Sequence, residues 1–275
     1  HLNQTFQNYN SGELLEVYTD DAFRAGTGVA MDWHEGQLSP QNNMFASTRW
    51  SQYWAGVRKC NNAIKYLPQA TVSKYLVSEQ LLNRWTDEVK LLRAWYYFML
   101  VRDFGPVPFI EEPMDPDFEE WDQLTRPSHD EIFTRIVNEI DEVIANNALP
   151  LRWQSSSNYN NVNKAVALAL KSRVLLYSAS SRYNQEGDQA KWQEAANAAQ
   201  TVLDSLVPEY QLVSMDDYGT LFNQSIDVYN SEIILRSAVN QPNLMNNLNG
   251  VDLSPLGSPT QAENCGAVPT QELVD

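Results

Sequence analysis

Asp32, His34 and Glu35 stand within six residues, in the run Met-Asp-Trp-His-Glu-Gly at 31–36, and are of types that could do chemistry. Together they offer metal ligands, or a general acid and a general base. Three polar side chains in one turn are more often solvated than coordinating, and the missing ligands would have to come from distant segments, so no metal site is expected. His129 follows a helix cap and reads as a surface residue. No phosphate-cradling glycine loop, His-Glu-x-x-His or Gly-x-Ser-x-Gly pattern occurs. The adjacent acidic pairs Glu119–Glu120 and Asp141–Glu142 do not suit glycoside hydrolysis, whose carboxyl groups must face one another across the bond, because neighbours on a helix point different ways. They read as solvated faces. Neither catalytic residues nor a cofactor are expected.

Aromatic residues are the remaining resource, with eight Trp and thirteen Tyr. Indole and phenol rings pack cores, and they also stack on flat apolar surfaces such as the faces of sugar rings. Four stand outside any helical period: Trp33, Trp121 in Phe-Glu-Glu-Trp-Asp, and Trp153 and Tyr159 in the loop 152–161. Each is either tucked onto a scaffold or presented to a ligand. Trp33 leans toward presentation, since its Asp and Asn neighbours supply the partners that sugar hydroxyls need.

The densest aromatic run, Trp95-Tyr96-Tyr97-Phe98, has another explanation. Over 78–102, Leu81, Trp85, Val89, Leu92, Tyr96 and Met99 form one stripe, and Leu91, Trp95 and Phe98 form a second beside it. A helix apolar on two faces lies between other helices, so this run is expected inside the core. Gly105 suits a helix C-cap, and Pro106 and Pro108 forbid its continuation. Further helices are marked by the capping box Ser128–Glu131 ahead of Ile132, Ile136, Ile140 and Val143, and by Trp50, Trp54, Val57 and Ile64 in the run 47–68.

These helices repeat. Asn-Asn-Ala-Ile-Lys-Tyr-Leu-Pro ends at Pro68 and Ile-Ala-Asn-Asn-Ala-Leu-Pro at Pro150, 82 residues on, while Arg93 and Arg173 stand 80 apart in matching segments. A third such helix closes at Pro208. Small residues, Ala94, Ala165, Ala169, Ala179, Ala195 and Ala199, are placed for tetratricopeptide-like pairing, in which each pair needs a neighbour to cover its apolar face. The expected fold is therefore mainly α: a tetratricopeptide-like helix-pair scaffold over about 47–208 with long irregular loops and a few short strands. Ser231–Val239 reads as one strand, within a loop-rich segment 209–275.

Composition narrows the function. A net charge of −16, from 35 acidic and 19 basic residues, repels phosphate backbones and anionic lipid. No apolar run is long enough to span a bilayer as a helix. Of two cysteines, Cys60 falls on a helix and reads as a small buried hydrophobe, and whether it pairs with Cys265 stays open.

The run Leu-Leu-Arg-Ala-Trp-Tyr-Tyr-Phe-Met-Leu-Val-Arg-Asp-Phe-Gly-Pro-Val-Pro, 91–108, resembles the signature of the SusD/RagB family. The order of the other pieces agrees: 53–68, 126–150, 163–184, 218–235 and the final Val-Pro-Thr-Gln-Glu. The resemblance implies a single SusD-like domain over 1–275 that lacks its C-terminal part. It implies an outer-membrane, cell-surface lipoprotein anchored through a lipidated cysteine upstream of His1. Such a protein captures oligo- or polysaccharide without catalysis and delivers it to a SusC-like TonB-dependent transporter. Residues ahead of the first scaffold helix then point to a carbohydrate site of Asp32, Trp33, Asn42, Asn43, Arg49 and Trp50, with Asn243 completing it. Trp50 also fits the helical stripe with Trp54 and Val57. Capture of peptide, or docking to the transporter with no soluble ligand, stands as the alternative, and a glycoside hydrolase ranks last.

Overall fold

A computed structural model describes residues 20, 22–23, 35–37, 39, 44–69, 78–115, 117–119, 121–154, 158, 161–219, 231–235 and 268–269; at 22–23, 44–48, 121 and 268–269 only the backbone is described. The chain forms two compact units, Trp50–Arg236 and, from both ends of the sequence, 1–49 with 237–275. In the second of these, strand β1 (Ala22–Phe23) pairs antiparallel with a late strand, Val268–Pro269.

Among the described residues, five helices carry the architecture: α1 (Met44–Tyr66), α2 (Glu79–Phe104), α3 (His129–Asn146), α4 (Lys164–Ala179) and α5 (Gln189–Leu206). Side-chain oxygens start four of them by taking up the first free N–H groups. Ser78 Oγ accepts from Leu81 N at 3.2 Å, Asn163 Oδ1 from Val166 N at 3.0 Å and Asp188 Oδ1 from Ala190 N at 2.8 Å. Ser128 and Glu131 form the expected capping box, with Glu131 N–H donating to Ser128 Oγ at 3.2 Å and Ser128 N–H to Glu131 Oε2 at 2.7 Å. Two helices stop where φ turns positive, while α4 and α5 run into extended backbone at Ser180 and Val207. Gly105 closes α2 at φ 75°, its N–H donating to Val101 O, and Asn147 closes α3 at φ 52°.

From α2 onward each helix packs on the next: α2 on α3, α3 on α4, and α4 on α5. This is the tetratricopeptide-like arrangement that the repeat implied. The main core draws on α1 through α4, with Tyr53, Tyr97, Leu91, Leu100, Ile132, Ile136 and Ile140 at its centre. A smaller cluster of Ala165, Leu168, Leu206 and Tyr210 ties α4 to α5 and the segment after it. Tyr96, Tyr97 and Phe98 are buried, so the dense aromatic run is interior as expected. Cys60 is a free, buried thiol, and burial pushes its pKa up to about 12.

A buried polar network crosses this core. Arg93 of α2 donates through Nε to Glu139 Oε1 of α3 at 2.8 Å, and its Nη2 makes a second bond to the same oxygen. Its Nη1 reaches Asn61 Oδ1 of α1 at 2.8 Å and Glu111 O at 2.9 Å. Asn61 in turn donates to Ile110 O at 2.8 Å. Tyr97 closes the circuit, its hydroxyl donating to Ile110 O and accepting from Ile110 N at 2.8 and 2.7 Å while its ring stacks on Phe109. Burial pushes the Glu139 carboxyl above its ordinary pKa, against the bonds and charge of Arg93.

Several expectations change in detail. Arg173, the repeat counterpart of Arg93, is exposed, and so is Ala199 on the outer face of α5. Asp141 and Glu142 are not merely solvated: Asp141 accepts from Lys171 of α4 at 2.6 Å, and Glu142 pairs with Lys90 of α2. Residues 231–235 of the predicted strand are irregular. There the Glu232 side chain, rather than a strand carbonyl, accepts the Val213 N–H at 2.9 Å, which removes a bond that a ladder would need.

Two measurements test this packing. A Cβ at Gly56 of α1 would sit 2.5 Å from Tyr96 Cζ, and the buried ring has little room to retreat. Gly56→Ala is expected to destabilise by about 1–3 kcal/mol in chemical denaturation. Arg93→Met strands a buried carboxylate and is expected to cost about 3–5 kcal/mol, much of which the double variant Arg93→Met/Glu139→Leu should recover.

Candidate ligand-binding site

Among the site residues read from the sequence, Asp32, Trp33, Asn42, Asn43 and Asn243 lie outside the described residues, as do His34, Tyr159 and Cys265. Arg49 is described and buried, at 5% exposure. Trp50 is the member of the set that shows a ring to solvent, at 36% exposure.

Trp50 is held from two sides. Its ring meets Trp54 edge-on, one turn along α1, with centroids 5.6 Å apart, and Phe104 at the last position of α2, 5.2 Å away. Trp54 is itself edge-on to the buried Tyr97 at 6.1 Å. The helical stripe that left the role of Trp50 open thus does both things, since i, i+4 spacing braces the indole while its position near the helix start leaves part of it uncovered. A ring fixed this way loses little freedom when a ligand stacks on it.

Beneath it lies a charged clasp. Tyr53 OH donates to Asp103 Oδ2 at 3.1 Å, and Arg102 donates to Asp103 Oδ1 at 2.7 Å through Nε and to Oδ2 at 3.3 Å through Nη2. Burial works against the charge of Arg102, yet the hydrogen bond and charge of Asp103 prevail and hold it more firmly protonated than usual. Asp103 precedes Phe104, so the clasp also fixes the ring that supports Trp50. Sequence reading missed Phe104 and Asp103 as supports, although their place immediately before the Gly-Pro break, where a helix must end at the surface, is a usable signal.

A second loop aromatic, Trp153, sits between α3 and α4. It is half-buried, its Nε1 donates to Val162 O at 3.1 Å, and the Arg84 guanidinium lies over its ring at 5.0 Å. It is tucked, yet it also lines a cleft. The side chain of Trp121 lies outside the described residues. His129, exposed at the start of α3, packs its ring against Tyr183. Among the described residues, no group of three His, Cys, Asp or Glu side chains is placed to hold a metal ion.

Asp103→Ala removes an acceptor from both Tyr53 and Arg102. It is expected to destabilise by about 2–3 kcal/mol and to alter the tryptophan emission of the native state, both read in one denaturation series.

Comparison with known proteins relates the chain and its fold to others. No curated protein matches the sequence significantly. Among solved structures, a SusD-like protein from Bacteroides fragilis superposes with a TM-score of 0.71 at 23% identity, covering 94% of this chain and 47% of its own. A laminarin-binding SusD-like protein gives 0.61 at 26% identity over 80% and 44%. Surface glycan-binding protein A from Bacteroides fluxus gives 0.57 at 25% over 75% and 40%. The chain therefore spans less than half the length of each. A SusD-like family model, described as starch-binding and associating with the outer membrane, matches residues 3–176. With more than half of its length matched in this way, the chain belongs to the SusD-like family.

Proposed function

We propose that the chain is part of a non-catalytic cell-surface protein that captures oligo- or polysaccharide and delivers it to a SusC-like TonB-dependent outer-membrane transporter. The observation that carries this reading is the indole of Trp50, partly exposed and braced by Trp54 and Phe104, in a chain of a family described as starch-binding. Two similar structures support it, one named as laminarin-binding and one as a surface glycan-binding protein. Sugar rings present C–H faces that lie flat on such an indole, and their hydroxyls need amide, carboxylate and guanidinium partners. Asp32, Trp33, Asn42, Asn43, Arg49 and Asn243 are proposed as further ligand contacts. No helix among the described residues is long and apolar enough to cross a membrane. Attachment through an upstream lipidated cysteine is proposed instead.

The test is calorimetric titration of the chain with laminarin, starch and a panel of other polysaccharides. Saturable binding to at least one is expected, weakened about tenfold by Trp50→Ala through loss of roughly 1–1.5 kcal/mol of stacking. Absence of binding to every glycan would turn the assignment toward peptide capture or transporter docking alone, and release of reducing ends would revive hydrolysis.

A further inference from the structure

A cleft of about 810 Å³ opens within the helical body, far enough along the stack to involve α2, α3, α4 and α5 but not the Trp50 ledge. Its volume falls in the range of small-molecule sites. The connection between α3 and α4 forms one wall with Leu149, Leu151 and Trp153, and Leu168 of α4 continues the apolar surface. Thr201 and Ser205, one turn apart on α5, bring hydroxyls to the opposite side.

The charge of this wall is the reverse of the charge of the chain. Among the described residues that line it are Arg84 and Lys164 and no carboxylate, in a sequence with 35 acidic and 19 basic residues. Lys164 donates to Asn147 Oδ1 at 2.8 Å and makes no ion pair with any described residue. It is also the first residue of α4, where the helix dipole adds positive potential. Arg84 Nε lies 3.2 Å from Glu88 Oε1, but the two are not aligned as a hydrogen bond, and both atoms are buried without a hydrogen-bond partner. Glu88 balances one of the two cations, which leaves one positive charge for an incoming anion. Beside it the Trp153 indole, pinned by its bond to Val162 O and lying under the Arg84 guanidinium, adds apolar surface to the cleft wall.

We propose that this cleft binds an acidic sugar, a hexuronate unit of a glycan, separately from the Trp50 ledge. The choice of a sugar rests on the glycan-binding reading above; the choice of a carboxylate rests on the cleft itself. The carboxylate pairs with Lys164 and the free donors of Arg84, as charge-assisted hydrogen bonds. The C–H face of the ring packs on Trp153 and the leucine wall, and Thr201, Ser205 and Asn147 meet the hydroxyls.

The test titrates the chain with digalacturonate, with its neutral dimethyl ester, and with neutral disaccharides. Digalacturonate should bind, the ester should bind about tenfold or more weakly, and raising the ionic strength should weaken the acid alone. Lys164→Gln should lower digalacturonate affinity about tenfold, while Trp50→Ala leaves it unchanged. Equal affinity for acid and ester, or an unaltered affinity in Lys164→Gln, would overturn the proposal, and so would failure of digalacturonate to bind. The acid–ester comparison needs no variant, so a folding defect cannot obscure it. Binding of neutral polysaccharide lost in Trp50→Ala reports on the other site and can succeed or fail independently.

Discussion

The bonding of Arg93 is the constraint on which the helical body depends. One guanidinium, almost fully out of water, joins α2 to α3 through Glu139, to α1 through Asn61 and to the extended segment after α2 through Glu111 O. A lone cation at that depth would be prohibitively costly, so its partners are obligatory and their positions are set together. The segment 106–112 has no regular partner of its own. It is held because Asn61, Arg93 and Tyr97 accept or donate to its backbone, which satisfies groups that would otherwise be buried unpaired.

From that arrangement the division of labour among aromatic rings follows. Rings on the enclosed half of α2, Tyr96, Tyr97 and Phe98, fill space between helices and are unavailable to a ligand. Rings where an element ends, Trp50 near the start of α1 and Phe104 at the end of α2, keep one side uncovered. Trp50 is thus braced by Trp54 and Phe104, whereas the more exposed Tyr66, Trp192 and Tyr218 stand away from this cluster of rings.

Sequence periodicity made the helices legible, and most of them also announce a start or an end chemically. Ser78, Ser128, Asn163 and Asp188 accept the first N–H groups, and Gly105 and Asn147 adopt the left-handed turn that ends a helix. The double stripe on α2 likewise predicted an interior helix correctly. What spacing could not convey is which of two equivalent positions is enclosed. Arg93 and Arg173 match in the repeat, yet one is at the centre of three helices and the other faces water. Of the strand expected over Ser231–Val239, residues 231–235 are irregular, with the Glu232 carboxylate taking the Val213 N–H, and the rest lies outside the described residues. The site was less legible than the fold. Trp50 was named through the family resemblance, and Trp153 was singled out as a loop aromatic, but the cation over its ring and the cleft beside it are products of packing between residues far apart in the sequence.

The stack of consecutive helices also determines how the body comes apart. Each helix is covered chiefly by the next, and the cluster joining α4 to α5 is small beside the one shared by α1 through α4. Cooperative units of unequal strength follow from such an arrangement. The backbone amides of α5 are expected to exchange with solvent through local opening, well before those of α2 and α3, which exchange only when the whole body unfolds. Thr201 and Ser205 lie on that looser helix, so one side of the cleft is joined to the part of the scaffold that yields first, and a ligand bridging α4 and α5 would slow exchange along the full length of α5.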